Sequence, residues 1–293
     1  MEHTLSSGFV AILGRPNVGK STFLNTAVGY KISITADKPQ TTRNRILGIL
    51  DEPDAQIIFL DTPGIHASGK ALNVYMVEKA LSTLSDADLA MVMASPADTA
   101  ETLSEITGYV EKARKESVLV LNKADLVRKE DRPGLVERLG QAGSFRESFA
   151  VSSLTGEGVR ELLDGLKRLL PEGPRFFPED MITDAPMRFL CQELIREKVF
   201  VLTQKEIPYA TAVEVEEFRE GEPTVIMAAI HVERPSQKAI VIGAGGRMIR
   251  EIGRQARMDI QRLLGNRVFL ELFVKVSRDW TKKPSRLKDF GYE

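Results

Sequence analysis

Gly14-Arg15-Pro16-Asn17-Val18-Gly19-Lys20-Ser21 follows an apolar run at 8–13 and precedes a helical pattern opening near Ser21. A Gly-x-x-x-x-Gly-Lys-Ser loop between a strand and a helix is a phosphate cradle. Its small residues let backbone N–H groups turn inward, Lys20 carries charge to the β- and γ-oxygens, the Ser21 hydroxyl is a Mg²⁺ ligand, and the helix start adds a positive dipole. Thr22 carries the same loop into the helix. The competing reading is a glycine-bearing turn that holds nothing, and the flanking sequence decides between the two. Apolar runs at 57–60, 89–93 and 118–121, each followed by polar or Gly/Pro residues and then a helix-like stretch, predict buried strands of a mostly parallel sheet covered by helices. Runs at 45–50 and 149–151 add strands, and 159–170 reads as a closing amphipathic helix.

The other motifs fall at the ends of these runs. Asp61-Thr62-Pro63-Gly64 ends one strand and puts a carboxylate where it can hold Mg²⁺, generally through water, while the Gly64 N–H can sense a γ-phosphate. Gln40-Thr41-Thr42-Arg43 lies in the polar segment between, where Thr42 would complete the metal shell once a triphosphate is bound. Asn122-Lys123-Ala124-Asp125 identifies the base. Guanine offers N1–H and a 2-amino group as adjacent donors that one carboxylate accepts together, and adenine offers neither, so Asp125 selects guanine. The Lys123 stem covers the ring and Asn122 ties this loop to the phosphate loop. In Ser152-Ser153-Leu154 the Ser153 N–H is placed to meet guanine O6.

Pro171-Glu172-Gly173-Pro174, with Pro178 and Pro186, marks a domain boundary. Beyond it the pattern predicts a helix over 187–203, strands over 209–218 and 225–232, a helix over 247–264 and a last strand over 268–276. Ile242-Gly243-Ala244-Gly245-Gly246-Arg247 holds a Gly-x-x-Gly turn before the second helix, followed by Arg250, Arg254 and Arg257. Small residues there let a nucleic-acid backbone approach closely, and the arginines, with Lys238, supply positive charge. Charge is distributed accordingly: residues 1–186 hold 21 Lys+Arg against 26 Asp+Glu, and 187–293 hold 19 against 15. From Arg234 onward the count is 14 to 6, which points to an anionic partner.

The first motif set resembles the translation-factor-like small GTPases, and within them the Era/TrmE branch. There the position after Asp-x-x-Gly is hydrophobic instead of a water-positioning glutamine, and Ile65 occupies it here. The resemblance implies slow, Mg²⁺-dependent hydrolysis of GTP to GDP, with Lys20, Thr42 and Gly64 catalytic and with K⁺ held near the phosphates by Asn17. The second part resembles a KH domain of type II, with a loop that lacks the positive charge many such loops carry, because Ala244 and Gly245 stand in it. The expected fold is an α/β P-loop GTPase domain over 1–172, a linker over 173–186, a smaller α+β type II KH domain over 187–278 and a tail over 279–293. Nearly the whole chain thus resembles the Era family of bacterial GTPases. That resemblance implies binding to the 3′ end of 16S ribosomal RNA and assistance in assembling the small (30S) ribosomal subunit. Two further readings stay open: a signalling GTPase whose basic face meets the inner surface of the cell membrane, and a passive RNA-binding module.

Composition sets the outer limits. At 43% hydrophobic and 28% charged residues, with 22 Gly and 14 Pro, the chain of 293 residues is globular and of about two-domain size. One cysteine, Cys191, excludes an internal disulfide, and the absence of long apolar runs and of a signal-peptide pattern points to the cytoplasm. With that cysteine and only His3, His66 and His231, no metal beyond nucleotide-bound ions is expected.

Overall fold

The computed structural model describes residues 5–36, 38, 42–64, 71–282, 287 and 290, with the side chains of 71–77 and 79 left aside. The chain divides into two units, one comprising Met1–Ser33, Thr42–Ala67 and Met76–Asp184, the other Ile34–Thr41, Ser68–Tyr75 and Ala185–Glu293.

The first unit is built on β1 (Leu5–Gly14), β2 (Ile46–Glu52), β3 (Ala55–Asp61), β4 (Leu89–Ala94), β5 (Glu116–Leu121) and β6 (Ser148–Ala150). Their order in the sheet is β2-β3-β1-β4-β5-β6; β2 runs antiparallel to β3 and the remaining pairs along this order are parallel. β1, β3 and β4 are buried almost throughout because a parallel strand is covered on both faces. The helices are α1 (Lys20–Val28), α2 (Ala71–Asp86), α3 (Ala100–Lys112), α4 (Arg132–Gly140) and α5 (Val159–Leu169). α5 buries Leu162, Leu163 and Leu166, the apolar face legible in its sequence. Since parallel strands share a direction, the loops after β1, β3, β5 and β6 emerge at one edge, the carboxyl edge, where ligands bind in such sheets.

The segment expected as a linker, 173–186, is corrected for most of its length. β7 (Glu172–Gly173) pairs antiparallel with β1, and the residues up to Asp184 count with the first unit. Gln56 Oε1 accepts from the N–H groups of Phe176 and Phe177 at 2.8 and 3.0 Å, Ile49 N–H donates to Ile182 O at 2.9 Å, and the Phe176 ring lies 5.0 Å from Phe9. Prolines stop a longer ladder from forming here, yet Phe177 is partly buried against the first unit's core.

The second unit contains α6 (Met187–Leu202), β8 (Ala212–Arg219), β9 (Thr224–Val232), α7 (Pro235–Ile242), α8 (Arg247–Leu264) and β10 (Val268–Val276). Its sheet has the order β10-β9-β8, antiparallel between β8 and β9 and parallel between β9 and β10. One face of the sheet, with Val213, Val215, Ile226, Ala228 and Ile230, packs on Leu194, Ile195, Ile252, Ala256 and Ile260 of the helices. The expected helix-strand-strand-helix-strand order therefore gains a helix. α7 is short and starts on Pro235 with Gln237 accepting from Glu233 and Arg234 N–H, while its Ile240-Val241-Ile242 end carries β-branched residues that disguise it.

Candidate functional site

The loop between β1 and α1 is closed around Lys20, which is 6% exposed and donates from Nζ to Gly14 O and Arg15 O, each at 3.0 Å. Burial outweighs the attraction of Asp61 and Asp98 and lowers its pKa to about 8. A polyphosphate would offer this ammonium the counter-charge that the two carbonyls lack. Asn17 sits at φ 65° and Val18 is buried. Arg15, expected among the nucleotide contacts, sends its side chain instead to Asp98 at 2.9 Å, and Asp98 also accepts from Ser95 N–H and Oγ. Pro16 lies against Gly64: a Cβ on Gly64 would meet Pro16 N at 2.7 Å, so only glycine allows the two loops to approach this closely.

Asp61, Ser21 and Thr42 are brought together. Ser21 Oγ donates to Asp61 Oδ2 at 2.8 Å and is 2.7 Å from Thr42 Oγ1. Ser33 was missed by the sequence reading, and its Oγ donates to the same carboxylate oxygen at 3.0 Å. Ser33 is held by Asn25, whose Oδ1 accepts its N–H at 2.9 Å and whose Nδ2 donates to its carbonyl at 2.7 Å. Burial raises the Asp61 pKa against the pull of Lys20 and the three hydroxyls, and Asp61 Oδ1 is buried with no hydrogen-bond partner among the described residues. Hard oxygen donors around an unsatisfied carboxylate oxygen fit Mg²⁺. Thr62, buried, donates from Oγ1 to Ile12 O at 2.7 Å, which fixes the strand end and does not point its hydroxyl at a ligand. Pro63 is buried beside it. Gln40, Thr41, Ile65 and His66 lie outside the described residues.

The base loop is cross-tied by Asn122, whose Nδ2 donates to Val18 O at 2.8 Å and whose Oδ1 accepts from Ser153 N–H and Oγ, both at 2.9 Å. That single side chain holds the phosphate loop, the base loop and the 152–154 loop in register. Ala124 is buried with its N–H on Val151 O at 3.0 Å, and Lys123, at φ 58°, is half-buried. Asp125 is exposed and oriented by Ser152 Oγ at 2.5 Å. Leu154 is 80% exposed. Thr22, beside the loop in α1, is half-buried.

In the second unit, Gly243, Ala244, Gly245 and Gly246 form the turn between α7 and α8. Gly243 has φ 71° and a Cβ there would meet Met248 Cβ at 2.8 Å, so this glycine is needed on both counts. Ala244 and Gly245 are exposed, as are Arg247, Arg250 and Arg254, while Ile242 and Lys238 are half-buried. Beside the turn runs a groove of ≈ 390 Å³ lined by Ile249, Arg250, Gly253, Arg254, Leu270 and Leu272 among others. Its β10 wall was missed by the sequence reading, although the alternation of Leu270 and Leu272 was visible. Arg254 is engaged by Glu251, at 2.9 and 2.6 Å, and that pair holds the Glu251 carboxyl at about 2. Among the described residues no carboxylate pairs with Arg250, which is the freer of the two for a phosphate.

One outcome follows for the first site. Gly64→Ala is expected to reduce turnover by up to about a hundredfold, since the added methyl pushes the loop off Pro16 and a displacement near 1 Å is enough for such a loss. Nucleotide affinity, measured by calorimetry, should change far less; an unaltered turnover number would remove Gly64 from the machinery.

The chain matches a family described as "50S ribosome-binding GTPase" over residues 9–123 and one described as "KH domain" over residues 206–281. GTPase Era of Geotalea daltonii is 50% identical over 301 residues, spanning 100% of this chain and 99% of the relative. GTPase Era of Syntrophus aciditrophicus is 50% identical over 291 residues, spanning 98% and 95%. A solved structure of Era in complex with MgGDPNP and nucleotides 1506–1542 of 16S ribosomal RNA superposes with TM-score 0.95 at 39% identity, over 98% of this chain and 99% of that one. A variant of Aquifex aeolicus Era bound to GDP and AlF4⁻ gives TM-score 0.95 at 38% identity over the same shares. With a P-loop GTPase unit and a type II KH unit in this order, and with such relatives along its whole length, the chain belongs to the Era family of GTPases.

Proposed function

We propose that this GTPase binds GTP with Mg²⁺ at the carboxyl edge of its first sheet, hydrolyses it slowly to GDP and phosphate, and binds the 3′ end of 16S ribosomal RNA through its KH groove. Through these steps it assists assembly and maturation of the small ribosomal subunit in the cytoplasm. The observation that carries the reading is full-length similarity to the Era solved with both a GTP analogue and that RNA.

Ser21, Thr42 and Asp61 would hold Mg²⁺, which when bound neutralises charge developing on the β- and γ-oxygens. Lys20 supplies the fixed positive charge, Gly64 N–H a donor to the γ-phosphate, and Asn17 an oxygen ligand for K⁺. Asp125 accepts the two guanine donors, with Ser153 N–H placed toward O6. Ile65, being aliphatic, cannot orient the attacking water, so turnover depends on charge and backbone donors and is slow. Dependence on potassium is tested by turnover in KCl against NaCl, where the Asn17→Ala variant should lose the difference.

Crosslinking to RNA in the presence of a non-hydrolysable GTP analogue, followed by sequencing of the bound fragments, tests the RNA assignment; recovery dominated by other sequences overturns it. The same exposed arginines offer a face to anionic lipid, and among the described residues no helix is long and apolar enough to cross a membrane. Liposome sedimentation competed with RNA separates the two partners.

Ala244→Asp with Arg250→Ala provides a sharper check on the groove. The aspartate brings a negative charge to the exposed turn and the alanine removes a phosphate partner, so RNA affinity is expected to fall by roughly tenfold or more. The slope of log affinity against log salt should shrink by about 0.7 for the lost contact. GTP hydrolysis without RNA should be unchanged.

A further inference from the structure

We propose that Glu214, Glu216 and His231 form a binding site for one divalent transition-metal cation of the zinc class on the outer face of the KH sheet. The expectation of no metal beyond nucleotide-bound ions counted histidines and thiols, and it had no means of seeing which carboxylates the sheet would bring to a histidine. β8 pairs Val215 with Ala228 and Glu217 with Met227, so Glu216 is the extra residue of a β-bulge. Bulges re-aim side chains, and this one leaves Glu216 on the face that also carries Glu214. His231 stands opposite Ala212 on the neighbouring β9, two residues along from Glu214. One ligand atom from each of the three lies within 4.8 Å of the others.

The imidazole is the independent observation. His231 is 7% exposed, its Nδ1 is 2.9 Å from Ser277 Oγ, and the Phe290 ring packs 4.6 Å away. These contacts fix the ring and leave Nε2 buried at ion-pair distance, 3.2 Å, from Glu214 Oε2 but with no well-aligned hydrogen bond among the described residues. A ring anchored through one nitrogen, with the other left to take a metal, is how metal-ligating histidines are held. One imidazole nitrogen and two carboxylate oxygens suit zinc or a similar first-row ion better than Mg²⁺ or Ca²⁺, which prefer oxygen throughout. Both glutamates are partly exposed, so the cation has a path from solvent and a position for water. Lys275 now pairs with Glu216, and the cation would replace that ammonium. Bound there, it would link β8 to β9 and, through Ser277, to the residue after β10.

The test uses the full chain saturated with Mg²⁺–GDP, so that the nucleotide site does not take up added metal. Calorimetric titration with Zn²⁺ should show one equivalent bound, and Co²⁺ should give visible d–d bands. Glu214→Gln and His231→Gln should each weaken binding at least roughly tenfold, and Ser277→Ala by about 10- to 100-fold through loss of the anchor. Lys275→Ala should bind at least as tightly as the parent. Absence of a one-to-one isotherm overturns the site, as does an isotherm unaltered by Glu214→Gln. Glu214 is partly exposed, so its variant should fold, and circular dichroism checks that it has. RNA and nucleotide binding do not enter the result.

Discussion

Asp125→Asn is expected to lower GTP affinity by more than a hundredfold while raising affinity for xanthosine triphosphate. A carboxylate accepts both guanine donors at once, and hydrogen bonds to a charged group contribute about 1.5–3 kcal/mol each. An amide can accept only one of the two and turns its own N–H₂ toward the guanine 2-amino group, so roughly 3 kcal/mol is lost, or about two decades in affinity. Xanthine presents N1–H beside a carbonyl, which an amide matches with one acceptor and one donor. Ser152 Oγ, now on Asp125 Oδ1, can donate equally to the asparagine oxygen and hold the same orientation. Competition calorimetry with the two triphosphates reads the switch. Unchanged preference for GTP would mean that this carboxylate does not read the base.

Lys20→Ala should cut phosphate release by about 100- to 1,000-fold, the loss typical when one preorganised group aimed at developing negative charge is removed. The ammonium is buried and tied to Gly14 O and Arg15 O, so it is already in place before a ligand arrives and need not reorganise during the reaction. Its removal frees those carbonyls and takes away the cation that attracts Asp61, but that carboxylate keeps the hydroxyls of Ser21, Ser33 and Thr42, and the fold should survive. Single-turnover release of phosphate, with nucleotide bound to both proteins, separates loss of chemistry from loss of binding. Activity within threefold of the parent would place hydrolysis elsewhere.

Much of the first site was legible in the chain because four of its motifs follow strands. Gly14 to Ser21, Asp61 to Gly64, Asn122 to Asp125 and Ser152 to Leu154 all end strands, and strands that alternate with helices come out parallel. A parallel sheet delivers its loops to one edge, so linear order was enough to assemble them. The second unit was legible for a weaker reason: alternation marked β8, β9 and β10, but a run of β-branched residues hid α7.

What the amino-acid order determined, then, was which residues end each strand and which face of each element is apolar, since both follow from local periodicity and turn chemistry. The tertiary structure alone decided who meets whom across the chain. It turned Arg15 toward Asp98 and Thr62 toward Ile12 O, added Ser33 to the hydroxyls on Asp61, and gave the groove along α8 its β10 wall. It also laid 173–184 against the first unit and brought His231 to Glu214 and Glu216. Periodicity says which way a side chain faces but carries no record of its partner. That partner is set by register, a bulge, or the packing of segments tens of residues apart, where many small contacts compete and only the folded whole selects among them.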